Sequence, residues 1–181
     1  MKKITFFISI IFSSIVFSQP GIQWQKCLGG TDTDKAYAVQ QTTDGGFITV
    51  GHSYSNDGNV SGHHATAITA DCWIAKITSV GTLQWQKSLG GIADDKAYAV
   101  RQTTDGGYIM AGETYSHEGD VSGNHDTTWS SSDYWIVKLD SMGAVQWQKC
   151  LGGTSLDYAE CIVLTTDGGY MVAGSSSSSD G

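Results

Sequence analysis

Three tryptophans, Trp24, Trp85 and Trp147, stand 61 and 62 residues apart inside nearly identical flanks: IQWQKCLGG from Ile22, LQWQKSLGG from Leu83 and VQWQKCLGG from Val145. Sixteen residues beyond the leucine of each block comes the aspartate of TTDGG, at Asp44, Asp105 and Asp167. A third block, DCWIAKI then DYWIVKL, adds Trp73 and Trp135. A chain that repeats at this period folds as a row of similar units, each needing neighbours to cover its apolar faces. The units run over about 22–70, 71–132 and 133–181, the last cut short.

Within a unit, runs rich in Trp, Tyr, Val and Ile alternate with Gly and Asp turns, the pattern of antiparallel strands joined by hairpins. In the second unit the strands are expected near Trp73 to Ile77, Leu83 to Leu89, Ala97 to Thr103 and Tyr108 to Thr114. SVGT, SMGA and the DGG triplets supply the tips, where glycine takes a positive φ at little cost. Both faces of these strands carry apolar residues: Trp135, Val137 and Leu139 on one, Ile136 on the other. Small sheets covered on both sides point to an all-β fold of β-propeller-like, four-stranded antiparallel blades. A parallel solenoid is the rival, with shorter coils. Three strands before residue 54 and four in each later unit predict eleven, about three blades. Propellers use about 4 to 8, so the sequence reads as a fragment or as a chain that must associate through open faces.

Lys2 and Lys3 precede an apolar run from Ile4 to Ser18, the pattern of a signal peptide over 1–18 cut before Gln19. The run is shorter than the roughly 20 residues of a membrane-crossing helix, and no second one follows. The expectation is export without a membrane span. Formal charge is −8, more negative still once the two lysines leave, which disfavours nucleic acid as a partner. Export permits disulfides, yet Cys27 and Cys150 align with Ser88, and Cys72 and Cys161 with Tyr134 and Ala99. Thiols out of register suit small buried hydrophobes better than a disulfide framework or zinc.

The motifs WQKxLGG, TTDGG[YF] and D[CY]W[IV]xK resemble repeats of secreted Bacteroidetes proteins of β-propeller type, over nearly all of Ile22 to Gly181. The resemblance implies a secreted or surface protein, of a kind often carrying a C-terminal domain for type IX secretion, which is not found in these 181 residues. More loosely, Leu139, Asp140, Gly143 and Trp147 are similar to the spacing in quinoprotein-type propellers and their non-catalytic relatives. That likeness implies a packing role between blades for Trp24, Trp85 and Trp147.

The long loops, Ser53 to Ala70 and Thr114 to Ser132, are the most polar and unequal parts, and local function belongs there. SNDGNVSG and SHEGDVSG offer Asp57, Asn59, Glu118 and Asp120, with Asp133 beyond, as oxygen ligands for calcium, or as turn-capping groups. Their spacing does not match the twelve-residue calcium loop. His63, His64, His117 and His125 sit in the same loops without an evident nucleophile. Tyr54, Tyr115 and Trp129 can stack on sugars or pin the loops to the blade. Asp140, Ser141 and Met142 resemble a short O-glycosylation signal and equally fit a hairpin tip.

The expected function is therefore a secreted or cell-surface repeat protein acting as a non-catalytic binding or structural module for a glycan or protein, with no cofactor beyond possible calcium. The alternative is an exported hydrolase or oxidoreductase whose catalytic part is missing or lies in a long loop. An array of binding surfaces would repeat its loop residues, whereas an enzyme needs one unlike polar cluster. Terminal sequencing of the exported product is expected to start at Gln19; a product retaining Lys2 and Lys3 would remove the export reading.

Overall fold

A computed structural model describes residues 21–64, 68–126 and 128–180; the expected leader lies outside the described residues. Ten antiparallel strands form: β1 (Asp34–Gln41), β2 (Phe47–Ser53), β3 (Asp71–Ile77), β4 (Leu83–Leu89), β5 (Asp95–Gln102), β6 (Tyr108–Thr114), β7 (Asp133–Leu139), β8 (Val145–Leu151), β9 (Asp157–Leu164) and β10 (Tyr170–Ser176). They make two four-stranded sheets, β1-β2-β3-β4 and β5-β6-β7-β8, and a two-stranded sheet of β9 and β10. No helix occurs among the described residues, so none there could cross a membrane. The architecture is all-β and repeated.

Two details differ from the sequence expectation. Ten strands form rather than eleven, because Ile22 to Leu28 joins no ladder. A WQKxLGG run pairs with the DxWIxK run preceding it, β4 with β3 and β8 with β7, and 22–28 follows no such run. For the same reason the sheets are out of phase with the sequence units: the boundaries at 70/71 and 132/133 fall inside sheets. Meanwhile β3 and β5 begin two residues earlier than expected, at Asp71 and Asp95. Polar residues there extend the strands because their carboxylates find amide and hydroxyl partners.

The sheets pack face to face. Ile48, Val50, Cys72 and Ile74 of the first meet Val100, Met110 and Val137 of the second. The far side of the second sheet, with Ile109, Ala111 and Ile136, meets Ala159 and Ile162 of the third. Strand β6 thus sends Met110 into one core and Ile109 into the other, which explains its two-sided apolarity. Each such burial contributes roughly 1.5–3 kcal/mol before conformational entropy is counted.

Lysines clasp the hairpin tips. Lys76 and Lys138, nearly buried, extend to Asp44 and Asp105 at 2.9 and 2.8 Å. Each aspartate also accepts the amide of the second glycine in its DGG turn, Gly46 or Gly107, at 3.0 Å. The lysine bond, helped by the threonine hydroxyl and this amide, holds both carboxyls well below the usual range. Asp167 makes the corresponding turn bonds with Thr165 and with Gly169, at 3.2 Å for the latter.

The first strand of each sheet, β1, β5 and β9, bulges. The register slips between Ala36 and Ala38, and between Ala97 and Ala99, leaving Tyr37 and Tyr98 as the extra residues; the slip opposite Ala173 and Gly174 leaves Glu160. A bulge brings the two backbones close, and glycine stands opposite each one: a Cβ on Gly51, Gly112 or Gly174 would lie 1.8, 1.9 or 2.1 Å from a carbonyl oxygen of the partner strand. Glycine inside a strand marks such an approach. Gly106, by contrast, has a φ of +82° with open space around it. Gly106→Ala is expected to cost about 1 kcal/mol and Gly112→Ala more than about 3 kcal/mol, read from urea-unfolding midpoints. Equal costs would contradict the close approach at the bulge.

Candidate functional site

At the start of β1, β5 and β9 one aspartate gathers the loops. Asp95 accepts the Gly91 amide at 2.8 Å, the Ser116 hydroxyl at 2.8 Å and the Thr114 hydroxyl. Asp34 does the same with Gly30, Ser55 and Ser53, and Asp157 with Gly153 and Ser178. One carboxylate thereby ties the LGG turn, the neighbouring strand and the long loop together.

The calcium candidates lie beside these hubs and bind backbone amides. Asp57 accepts from Thr31 at 2.8 Å and Asn59 from Gly29 at 3.4 Å. Glu118 accepts from Ile92 at 2.7 Å and Asp120 from Gly90 at 3.2 Å. These pairs staple each long loop to the preceding LGG turn, and the structure does not gather the four into one cluster; among the described residues no metal-ligating group of three was found. The histidines also hold loops. His64 meets Asp71 at 2.8 Å and His125 meets Asp133 at 2.5 Å, each through Nδ1 and the backbone amide of the same residue. His63 lies 3.9 Å from the other oxygen of Asp71, whereas His117 faces Trp129.

The repeat tryptophans serve packing. Trp24, Trp85 and Trp147 lie 5.8, 5.7 and 6.0 Å from Phe47, Tyr108 and Tyr170. Trp85 and Trp147 thereby reach from one sheet to the next. Gly81 and Gly143 leave room for two of these rings, since a Cβ on either would come within 2.9 Å of the indole. Buried Trp73 and Trp135 donate to Gln86 and Gln148, whose amide groups donate in turn to Ser61 and Ser122 of the long loops. Asp140 caps its own turn, accepting from Met142 and Ala144 at 2.8 and 2.9 Å. The four cysteines are free, Cys72 and Cys150 buried, Cys27 and Cys161 exposed. Burial pushes the Cys150 thiol up to about 12.

Against this regular frame one loop is different. Asp126 accepts the amides of Thr128, Ser130 and Ser131 at 2.8, 2.8 and 2.6 Å, together with their hydroxyls. Those bonds, led by the Thr128 hydroxyl, hold its carboxyl far below the ordinary range. The wrapped segment carries Trp129 at a φ of 55°, the one positive φ outside glycine among the described residues. Such a conformation costs on the order of 1–2 kcal/mol. Trp129 stacks on His117 at 4.5 Å and is 46% exposed.

Trp129 lines a cleft of about 440 Å³ together with Tyr115, Ile92, Asp94, Lys96 and Thr69, a volume typical of small-ligand sites. Lys96 reaches Asp94 at 3.3 Å and Glu113 at 3.5 Å. Burial lowers the proton affinity of its amine, but the two carboxylates outweigh burial and raise it, so the lysine stays charged. Glu113 also accepts the Tyr98 hydroxyl at 2.7 Å, and Tyr98 stacks on Tyr37 at 5.1 Å. The bulge residues Tyr37, Tyr98 and Glu160 therefore form one tract with Glu113. Of the three loop aromatics, Tyr115 and Trp129 share the cleft, while Tyr54 stacks on buried His52.

Asp94, Lys96 and Glu113 escaped the sequence reading. The available signal was the strand position occupied by His52, Glu113 and Ser175 in successive repeats, a polar site that changes type where its neighbours do not. Compared with protein-family models and with curated proteins, the chain matches none.

Asp95 provides a test of the hub. Burial between two sheets raises its carboxyl to about 7, the bonds from Thr114, Gly91 and Ser116 acting against it and the Asp71 charge adding to it. A folded value above the ordinary one of about 4 means the fold gains stability from the protonated form. That gain is complete at low pH, is lost as pH rises to about 7, and amounts to roughly 4 kcal/mol over that range. Asp95→Asn keeps the shape and is expected to flatten unfolding midpoints between pH 5 and 7; an unchanged slope would contradict the buried, proton-binding hub.

Proposed function

We propose that the chain is a secreted or cell-surface β-propeller-type repeat protein that acts as a non-catalytic binding module. The single observation that carries this reading is the Trp129 cleft, built on a loop that departs from an otherwise regular frame. The Bacteroidetes-like repeats and the leader support export, and the stacking of the sheets supports a bladed arrangement. Open faces favour contact with further blades or a second copy: Val39 of the first sheet is 66% exposed and Met171 of the third 62%, where their counterparts Val100 and Ile109 are buried.

Binding is favoured over catalysis by the state of the cleft's charged groups. Lys96 is held protonated between two carboxylates, whereas a catalytic lysine needs its proton affinity lowered. The site is one unlike cleft rather than a repeated array, so a single class of ligand is expected. Arrays of immobilised glycans and surface proteins probed with the full chain should show saturable retention of a chemically unchanged ligand. A ligand recovered cleaved or oxidised would replace this reading with the exported-enzyme one.

A further inference from the structure

We infer that the Trp129 cleft binds a neutral saccharide, one sugar ring lying against the indole and its hydroxyls bridging Asp94 and Lys96; this rests on the binding-module reading and names its ligand class. The cleft has an exposed aromatic platform. Trp129 is held in a strained backbone conformation by the bonds to Asp126, with His117 at its ring. An exposed aromatic fixed in advance presents an apolar surface without losing side-chain freedom on binding. Sugar rings carry apolar C–H faces that suit such a surface, and Tyr115 adds a second aromatic wall with a polar tip.

Charges of both signs meet beside that platform. Asp94 accepts the Ala70 amide at 2.8 Å through one oxygen and meets Lys96 through the other. Lys96 has three N–H donors and two carboxylate partners, at 3.3 and 3.5 Å, leaving donor capacity beside spare carboxylate lone pairs. Adjacent donor and acceptor capacity matches neighbouring hydroxyls, each of which donates and accepts. An anionic ligand would meet Asp94, Glu113 and the formal charge of −8. A cationic one would have to displace Lys96 from its partners. A neutral, hydroxyl-rich ligand incurs neither cost.

The aromatic wall of the cleft comes from the second long loop, and the first contributes only Thr69. Between His64 and Asp71 the first loop has no carboxylate and places Ile68 where the second, between His125 and Asp133, has Asp126 and Trp129. The staples to the LGG turn are present in both loops, so the frame does not require Trp129.

The full chain would be titrated with maltotetraose, cellotetraose, xylotetraose and mannotetraose, following tryptophan fluorescence and heat. At least one is expected to bind, with Trp129→Ala weakening it about tenfold or more. Trp129→Phe should retain part of the affinity, Lys96→Met should weaken it, and Met142→Ala, at a distant hairpin tip, should leave it unchanged. Thermal melts matching the parent protein would show that each variant folds. Failure of all four sugars would overturn the inference, as would binding indifferent to Trp129. Trp129-dependent retention of a protein without any sugar would also overturn it, yet leave the binding-module reading standing. Cleavage of a bound tetrasaccharide would keep the ligand class and overturn that reading instead.

Discussion

One carboxylate at the head of the first strand of each sheet organises the molecule. Asp34, Asp95 and Asp157 stand where a turn, a sheet and a long loop converge, and each accepts bonds from at least two of them. A buried carboxylate is costly unless its lone pairs are filled. At buried Asp95 the glycine turn before it and the hydroxyls of the adjoining strand and loop fill both oxygens, and the same groups recur around Asp34 and Asp157. The same residues make the strand amides available to continue between sheets: Asp95 donates to Ala70 and Asp157 to Ser132, both at 2.7 Å.

Because the hub fixes both ends of the long loop, loop content can change without disturbing the sheets. Asp57 and Glu118 differ by one methylene yet perform the same staple, and Asn59 and Asp120, an amide and a carboxylate of equal length, share the second. His64 and His125 close the far end against Asp71 and Asp133. Between those anchors the second loop gains one residue and winds around Asp126. The backbone energy of placing Trp129 at positive φ is then carried by a local cluster of hydrogen bonds, outside the cores.

The strands were legible because their signal is local: β4 and β6 lie where the apolar runs place them, and DGG turns mark their ends. Sheet phase was not, since WQKxLGG sits equally well before or after its partner in a cyclic repeat, and only pairing of β3 with β4 decides. The bulges left a trace, glycine inside GHS and GET, whose cause is visible only when Lys35 and Lys96 carbonyls stand opposite. Trp129 and Tyr115 could be picked out as loop aromatics. Their union with Asp94 and Lys96 depended on the crossing of the loop with the start of β5, which no spacing along the chain encodes. The acidic loop residues were read as ligands or caps, and their backbone partners lie about 26 to 30 positions away, beyond the reach of a motif.

A repeated frame separates two kinds of selection on its residues. Where all units share a group, as with the hub aspartates or the WQK tryptophans, the group answers to a packing or hydrogen-bonding demand that recurs with every sheet. Where one unit departs, that demand cannot be the reason. His117, Asp126 and Trp129 depart together and touch each other directly or through the wrapped segment, while Glu113 departs from His52 in the adjacent strand and anchors Lys96. Burial, together with the Lys96 and Lys35 charges, takes His52 down to about 4 and leaves it neutral, so the first unit offers an uncharged ring where the second offers a carboxylate. The two departures lie on separate elements and meet through the cleft's lining, Trp129 as part of it and Glu113 through its ion pair with Lys96; the proposed ligand would supply the common demand that the frame does not.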